Sequence, residues 1–319
     1  MTSRTAVVTG AGGFIGSHTV ESLLGDGWLV RGVDCFTDYY APEQKWQNLS
    51  AALEDPSFEL TEVDLASTGD LPELLDAQLI IHLAAEAGVR RSWGDGFERY
   101  VSRNILATQR LLEACLQTSP DRVVVASSSS VYGDAEAFPT REDSRVFPRS
   151  PYGITKLATE NLATTYATNW DLPTVSLRFF TVFGPRQRPD MAFHRLIESA
   201  LRGTPFPLYG TGEQIRDFTY VNDVVAAIRA AGEARLDAGS VYNVAGGVEA
   251  SLNEVIGVVE EITEVDIELN RKPVQAGDAR RTGGCTQRAT ADLGWTPEVT
   301  LRAGIEAQVG WHKARRGTD

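Results

Sequence analysis

The chain reads as a doubly wound parallel α/β sheet with a smaller C-terminal lobe, on three observations. Short apolar runs alternate with amphipathic segments up to Phe180, the pattern of strand–helix–strand units laid side by side. Gly10, Gly13 and Gly16 stand at G-x-x-G-x-x-G spacing between the first apolar run and the first helical segment. From Gly184 the texture breaks into Gly- and Pro-punctuated pieces, which suits a lobe on the sheet edge better than more of the sheet. The expected division is a sheet unit over residues 1–181, with a later return at about 222–245, and a lobe from 182–221 and 246–319.

Each element has its own warrant. Ala6, Val7 and Val8 make a run long enough for a buried strand and too short for a helix. Phe14, Ile15, Val20, Leu23 and Leu24 then give one helical apolar face. A second strand, Trp28 to Val33, ends at Asp34, and a polar loop leads into a helix at about Glu43 to Leu53. Phe58 to Val63 and Leu79 to Leu83 are the third and fourth strands. Ile105, Leu111, Leu112, Ala114 and Leu116 mark a helix from about Tyr100 to Gln117. Arg122 to Ala126 is the fifth strand and runs directly into Ser127–Ser130. A serine run is commonly a flexible linker, but one that abuts a buried strand reads as a strand end. Pro148 and Pro151 bracket a turn before a helix from Tyr152 to Trp170, and Thr174 to Phe180 is the sixth strand. Beyond it lie helical patterns at Ala192–Arg202 and Asp223–Ala231, a short run at Val241–Val244, an apolar face from Leu252 to Ile262, and a last helix at Leu301–Ala314.

Composition narrows the classes of function. A net charge of −13 argues against nonspecific nucleic-acid binding, and an anionic ligand would need a local cluster of arginines. Cys35, Cys115 and Cys285 are scattered with no C-x-x-C, which points to a reducing compartment and no structural zinc. His18, His82, His194 and His312 lack metal-ligand spacing and are read as helix-surface or packing residues. No stretch approaches a membrane span, and the N-terminus reads as a strand rather than a signal peptide, so the expected address is the cytoplasm.

The glycine turn carries the first chemistry. Strand, glycine turn and helix aim free backbone N–H groups at a pyrophosphate, with Gly10 for the tight turn, Gly13 for close approach and Gly16 for helix packing. Asp34, eighteen residues beyond Gly16, can accept from both hydroxyls of an adenosine ribose and would repel a 2′-phosphate, which reads as NAD rather than NADP. Phe14 and Ile15 open the helix at that turn. Lys45 reaches toward the ribose or is a solvated surface lysine. Asp64 and Leu65 border the adenine side, and Leu83, Ala84 and Ala85 form the small strand end on which a cofactor can lie.

Tyr152, Lys156 and Ser129 are the catalytic candidates. A phenol normally ionises near pH ~10, too high for a base at neutrality. An ammonium one helical turn away, with a positive nicotinamide ring, would favour phenolate. The serine would hold the substrate hydroxyl.

With these residues in hand, the chain resembles an extended short-chain dehydrogenase/reductase of the nucleotide-sugar epimerase and dehydratase branch, a Rossmann-fold family. The resemblance rests on the three glycines, Asp34, Asn104, Ser-Ser-Ser-Val-Tyr-Gly at 128–133, Tyr152-x-x-x-Lys156 and the stretch Arg216–Asp223. It implies a UDP-sugar substrate and resident NAD, with Asn104 at the cofactor and Ser128 beside Ser129 at the sugar. Arg216 and Arg280 would grip the diphosphate, with Phe206 and Tyr209 near the uracil. Guanidiniums suit that task through fork-like hydrogen bonds to phosphate oxygens; for each, a surface ion pair is the other reading. In many relatives the helices corresponding to Tyr100–Gln117 and Tyr152–Trp170 pair across a homodimer.

Related dehydratases carry Asp-Glu after the catalytic Ser/Thr, and related decarboxylases carry Glu; Ser130 here offers no carboxylate. The stretch Arg178–Phe193, which includes Ala192, is similar to that of UDP-glucuronate 4-epimerases. This implies NAD-dependent 4-epimerisation of UDP-glucuronate to UDP-galacturonate through a transient 4-keto sugar, without decarboxylation. Thr181 and Arg188 would clamp the C5 carboxylate; alternatively, Arg188 braces its turn through Asp190. UDP-glucose 4-epimerisation, UDP-glucuronate decarboxylation and catalytically silent NAD binding stand as alternatives.

Overall fold

The structure, a computed structural model, describes residues 4–274, 277 and 279–316. Its strands in chain order are β1 (Thr5–Thr9), β2 (Leu29–Asp34), β3 (Phe58–Glu62), β4 (Leu79–His82), β5 (Arg122–Ser128), β6 (Thr174–Phe179), β7 (Thr181–Phe183), β8 (Phe206–Tyr209), β9 (Ile215–Tyr220), β10 (Ser240–Val244), β11 (Glu249–Ser251) and β12 (Leu269–Lys272). Seven of them form one parallel sheet in the order β10-β6-β5-β4-β1-β2-β3. The chain builds outward from β1 to β3, then crosses back to β4 and builds the other way. The order therefore reverses between β1 and β4, and a crevice opens at the carboxyl ends there.

Period-2 alternation divides the core between the two faces. Ala6, Val8, Ile81, Val124 and Val175 belong to one apolar cluster, and Val7, Ile80, Val123 and Val125 to the other. Helices Phe14–Gly25 and Val221–Glu233 cover the first face, and Ala107–Thr118 and Pro151–Trp170 the second. Outside this sheet β9 pairs in parallel with β7 and antiparallel with β11, while β12 lies parallel to β8.

Two helices differ from the sequence expectation. The segment at 43–53 is broken at Leu49 into Pro42–Asn48 and Ser50–Leu53. The helix expected at 100–117 opens as Phe97–Tyr100, widens into a π-helical turn at Val101–Leu106 and resumes as Ala107–Thr118. Helix Pro151–Trp170 starts where its sequence dictates: the Ser150 hydroxyl accepts from the Gly153 N–H at 3.1 Å, and Pro151 occupies the first turn. That cap fixes Tyr152 in the first turn and Lys156 one turn later. Among the described residues no helix is long and apolar enough to cross a membrane.

Candidate active site

The glycine turn sits at the switch point. Gly10 has φ +72°, and a Cβ there would lie 2.8 Å from the Ala84 nitrogen, so the backbones of the β1 and β4 ends approach as only glycine permits. A Cβ on Gly16 would fall 2.0 Å from the Gly10 carbonyl oxygen, which lets helix Phe14–Gly25 rise directly from the turn. The crevice in front is lined by Gly10, Gly13, Phe14, Ile15, Gly16, Asp34, Lys45, Asp64, Leu65, Leu83, Ala84, Ala85, Tyr152 and Lys156. Close backbone, a helix N-terminus and a strand-end carboxylate fit an adenine dinucleotide.

Asp34 closes β2 and is buried. Its carboxylate accepts from the Gly12 N–H at 3.1 Å, the Phe36 N–H at 2.8 Å and the Lys45 ammonium at 3.0 Å. Lys45 is therefore no solvated surface lysine. Helix Pro42–Asn48 turns it inward, where its ammonium lies 5.9 Å from the Phe36 ring centre and 5.6 Å from that of Tyr40.

Asn104, expected at the cofactor, is not among the residues lining the crevice. The π-helical turn aims it at Glu86, whose N–H it accepts at 2.7 Å and whose carbonyl it donates to at 3.0 Å, and at the Thr155 hydroxyl at 2.9 Å. It braces the loop after β4 against the helix that bears Tyr152. Arg103 and Glu86, unmarked in the sequence, do line the crevice, paired at 2.9 Å with Asp64 3.7 Å from Arg103. They come from separate segments that only the sheet order brings together.

The hydroxyl facing the Tyr152 phenol is that of Ser128, not Ser129. β5 ends at Ser128, and Ser129 begins a 3-10 turn that leaves the strand line. Ser127 is committed elsewhere, donating to the Glu160 carboxylate at 2.7 Å. Burial leaves the Tyr152 phenol above its ordinary value, with the Ser128 hydrogen bond and the Arg188 charge pulling it only part of the way back. Arg188 thus opposes burial at the phenol, and Lys156 lines the same crevice. Lys156 is itself lowered to about 8 by burial, with the Glu160 carboxylate working the other way.

A second cavity of about 640 Å³ adjoins the crevice, within the size range of small-molecule sites. Thr181, Arg188, Ala192, Phe206, Tyr209 and Arg216 all border it, with Arg90 4.3 Å over the Tyr209 ring. Arg188 and Tyr39 border both spaces. Arg280 is not in this lining: its side chain is exposed, and its carbonyl accepts from the Ile215 N–H at 3.1 Å, next to Arg216.

The turn that carries Arg188 is tied on several sides. His18 contacts the Pro185 carbonyl at 3.0 Å, Arg186 pairs with Glu21 at 2.7 Å, and Gln187 donates to the Val182 carbonyl at 3.0 Å. His194 binds Gln187 twice, through its backbone N–H at 2.9 Å and its ring at 2.8 Å. Arg188 meets Asp190 with Nε and Nη2, both at 3.0 Å. His194, Glu198 and His312 offer ligand atoms within 4.8 Å of one another. Burial works against the Glu198 charge, yet hydrogen bonds from His312, Arg202 and Arg316 hold it down at about 2. A carboxylate already matched by two guanidiniums ties the last helix to helix Ala192–Arg202 and has little charge left for a cation.

A crevice of this kind at the switch point of a doubly wound sheet defines a dinucleotide-binding protein of the Rossmann class. Residues 6–245 match the model of the NAD dependent epimerase/dehydratase family, and the chain belongs to that family. A Bacillus subtilis (strain 168) relative named "Uncharacterized UDP-glucose epimerase YtcB" is 42% identical over 308 residues, 96% of each chain. A "Probable UDP-glucuronate 4-epimerase" of Rhizobium meliloti (strain 1021) is 34% identical, again over 96% of each. The crystal structure of UDP-glucuronic acid 4-epimerase from Bacillus cereus, in complex with UDP-glucuronic acid and NAD, superposes with a TM-score of 0.94 at 40% identity, covering 98% of this chain and 99% of that one.

Proposed function

We propose that this protein is an NAD-dependent 4-epimerase that interconverts UDP-glucuronate and UDP-galacturonate. The observation that carries the sugar is Arg188, a guanidinium held where the crevice meets the second cavity and near enough to Tyr152 to pull on its phenol. Bound NAD supplies the acceptor for the C4 hydride and returns it. Tyr152, brought to phenolate by the positive charge of the bound nicotinamide ring together with Arg188 and Lys156, takes the proton of the 4-hydroxyl, and Ser128 holds that hydroxyl in line. Lys156 keeps positive charge in the crevice wall, and Ser129 stands beside the pair. Residues 182–221 and 246–319 supply the nucleotide-sugar lobe, where Arg216, with Arg280 from the neighbouring segment, holds the diphosphate while the 4-keto sugar turns its other face. Phe206 and Tyr209 flank the uracil.

A 4-keto uronate is a β-keto acid and loses carbon dioxide when its C–CO₂ bond stands perpendicular to the ketone plane. Thr181 and Arg188 hold the carboxylate away from that direction. NMR of the products from UDP-glucuronate tests the reading: UDP-galacturonate is expected, and UDP-xylose or a UDP-4-keto-pentose as main product would refute the clamp. The Arg188–Asp190 pairing favours a second reading, UDP-glucose 4-epimerisation, because a neutral sugar leaves that pair undisturbed. Turnover of UDP-glucose alone would establish it.

Exposed apolar side chains support association with a second copy. Phe97, Val101 and Leu106 lie along one helical segment and Ile154 on the helix packed against it, all exposed. We expect a homodimer through this face, and sedimentation velocity tests it. Three free cysteines suit the cytoplasm.

A further inference from the structure

We propose that Asp190 is an internal competitor for the Arg188 guanidinium, so that the pair, and not Arg188 alone, sets how strongly the site prefers an acidic sugar to a neutral one. The inference rests on the functional reading above and concerns a residue that reading leaves without a part.

The geometry is that of a carboxylate already seated. Asp190 takes Nε and Nη2 of Arg188 with its two oxygens, each at 3.0 Å, which is the two-point arrangement a uronate carboxylate would itself seek. The Tyr39 hydroxyl donates to the same carboxylate at 3.3 Å, and the Arg188 guanidinium lies 5.6 Å from the Tyr39 ring centre. Tyr39 is held in turn by Arg91, which donates to its carbonyl at 2.8 Å and lies 4.4 Å over its ring. Asp190 is therefore fixed from two segments far apart in sequence. Among the described residues, Nη1 is the arm of Arg188 left over.

The electrostatics follow. The pair is mostly buried, with side chains 20% and 28% exposed. Burial pushes the Asp190 carboxyl up, and the Arg188 charge and hydrogen bonds more than undo this, leaving it below the usual range. The carboxylate stays ionised at neutral pH, so Arg188 offers an incoming anion little uncompensated charge. A uronate must share Nη1 or displace Asp190 from the fork. A neutral hexose meets the same pair with nothing to displace. The tied turn keeps both residues at the mouth of the cavity in either case.

The test compares NAD-loaded wild type, Asp190→Asn and Arg188→Ala, measuring Kd for UDP-glucuronate, UDP-glucose and UDP by calorimetry. Asn keeps the size and one acceptor but gives up the charge. For Asp190→Asn, UDP-glucuronate should bind about tenfold tighter, the gain of roughly one freed charge-assisted contact. UDP-glucose and UDP should stay within about twofold, as neither presents a sugar carboxylate. Arg188→Ala should erase the difference between the two sugars. Weaker UDP-glucuronate binding in Asp190→Asn, with UDP unchanged, would overturn the proposal and make Asp190 a brace that only aims Arg188. An equal shift for both sugars would also overturn it. Unchanged UDP binding shows that the variant is folded. These ratios answer for Asp190 whether or not wild type turns over UDP-glucuronate; absence of that turnover would sink the functional reading instead.

Discussion

The buried pair of Lys45 and Asp34 lends itself to a double-mutant cycle. The two groups are 3.0 Å apart with side chains 9% and 4% exposed. Removing one partner of a buried pair costs about 3–5 kcal/mol, since the other charge is left without compensation. The neighbours decide where in that range each single variant falls. In Lys45→Met, Asp34 keeps the Gly12 and Phe36 N–H donors, so the loss sits near the low end, about 3 kcal/mol. In Asp34→Asn, Lys45 keeps, among the described residues, only the two ring faces, and the new amide group must point its NH₂ at one of two backbone donors that sat on opposite oxygens. That variant should lose more, about 4–5 kcal/mol.

The double variant removes both charges at once. Its loss should fall short of the sum of the singles by about 2 kcal/mol or more. Equilibrium unfolding in urea of cofactor-stripped protein gives the three differences without linkage to bound dinucleotide. Additive losses, or single-variant losses below about 1 kcal/mol, would show Lys45 to be solvated after all and refute the reasoning.

Three further outcomes are expected. Ser128→Ala should lower kcat on UDP-glucuronate by about 100-fold and Ser129→Ala by less than about threefold, because only the former faces the phenol; the reverse order in steady-state kinetics would return the part to Ser129. Gly10→Ala puts a Cβ 2.8 Å from the Ala84 nitrogen at φ +72°. It should cost about 1–3 kcal/mol in thermal unfolding and strip the purified protein of nicotinamide cofactor, read from its absorbance after denaturation. Burial, helped by the nearby His194, lowers His312 to about 4, below the ~6.5 of an unfolded histidine. The unfolded chain then binds more protons between those values, so stability falls as pH drops from about 6.5 toward 4. His312→Gln should flatten that part of a Tm-against-pH curve, and an unchanged slope would mean His312 is charged in the fold.

The strands of the main sheet were legible because most are buried on both faces and read as continuous apolar runs. β4 and β5 are buried at every position. β7, β8, β9, β11 and β12 were not, since three to six residues of mixed polarity become strands only through their partners. The same limit operates inside the site. A run of four serines carries no internal mark of where β5 stops, so the sequence points to Ser129 where the fold sets Ser128 against Tyr152. Lys45 on a polar helix looks solvated until Asp34, Phe36 and Tyr40 fold over it. The family resemblance implies Asn104 at the cofactor, but a local π-helical turn, invisible to a period of 3.6, sends its amide to Glu86 and Thr155.

Arg188 is the instructive case. Its sequence neighbours allowed two readings, a clamp for a substrate carboxylate or a brace for its own turn, and these looked like alternatives. In the fold the guanidinium makes the bracing contact with Asp190 at the place where a clamp would have to stand, between the crevice and the second cavity. A bidentate fork prepared for one carboxylate is equally prepared for another, because the geometry that holds Asp190 is set by the guanidinium and not by what carries the oxygens. The brace therefore makes the clamp a matter of competition. Selectivity between acidic and neutral sugars then becomes a difference between two carboxylates' claims on one cation, and its size should respond to Asp190 as well as to Arg188.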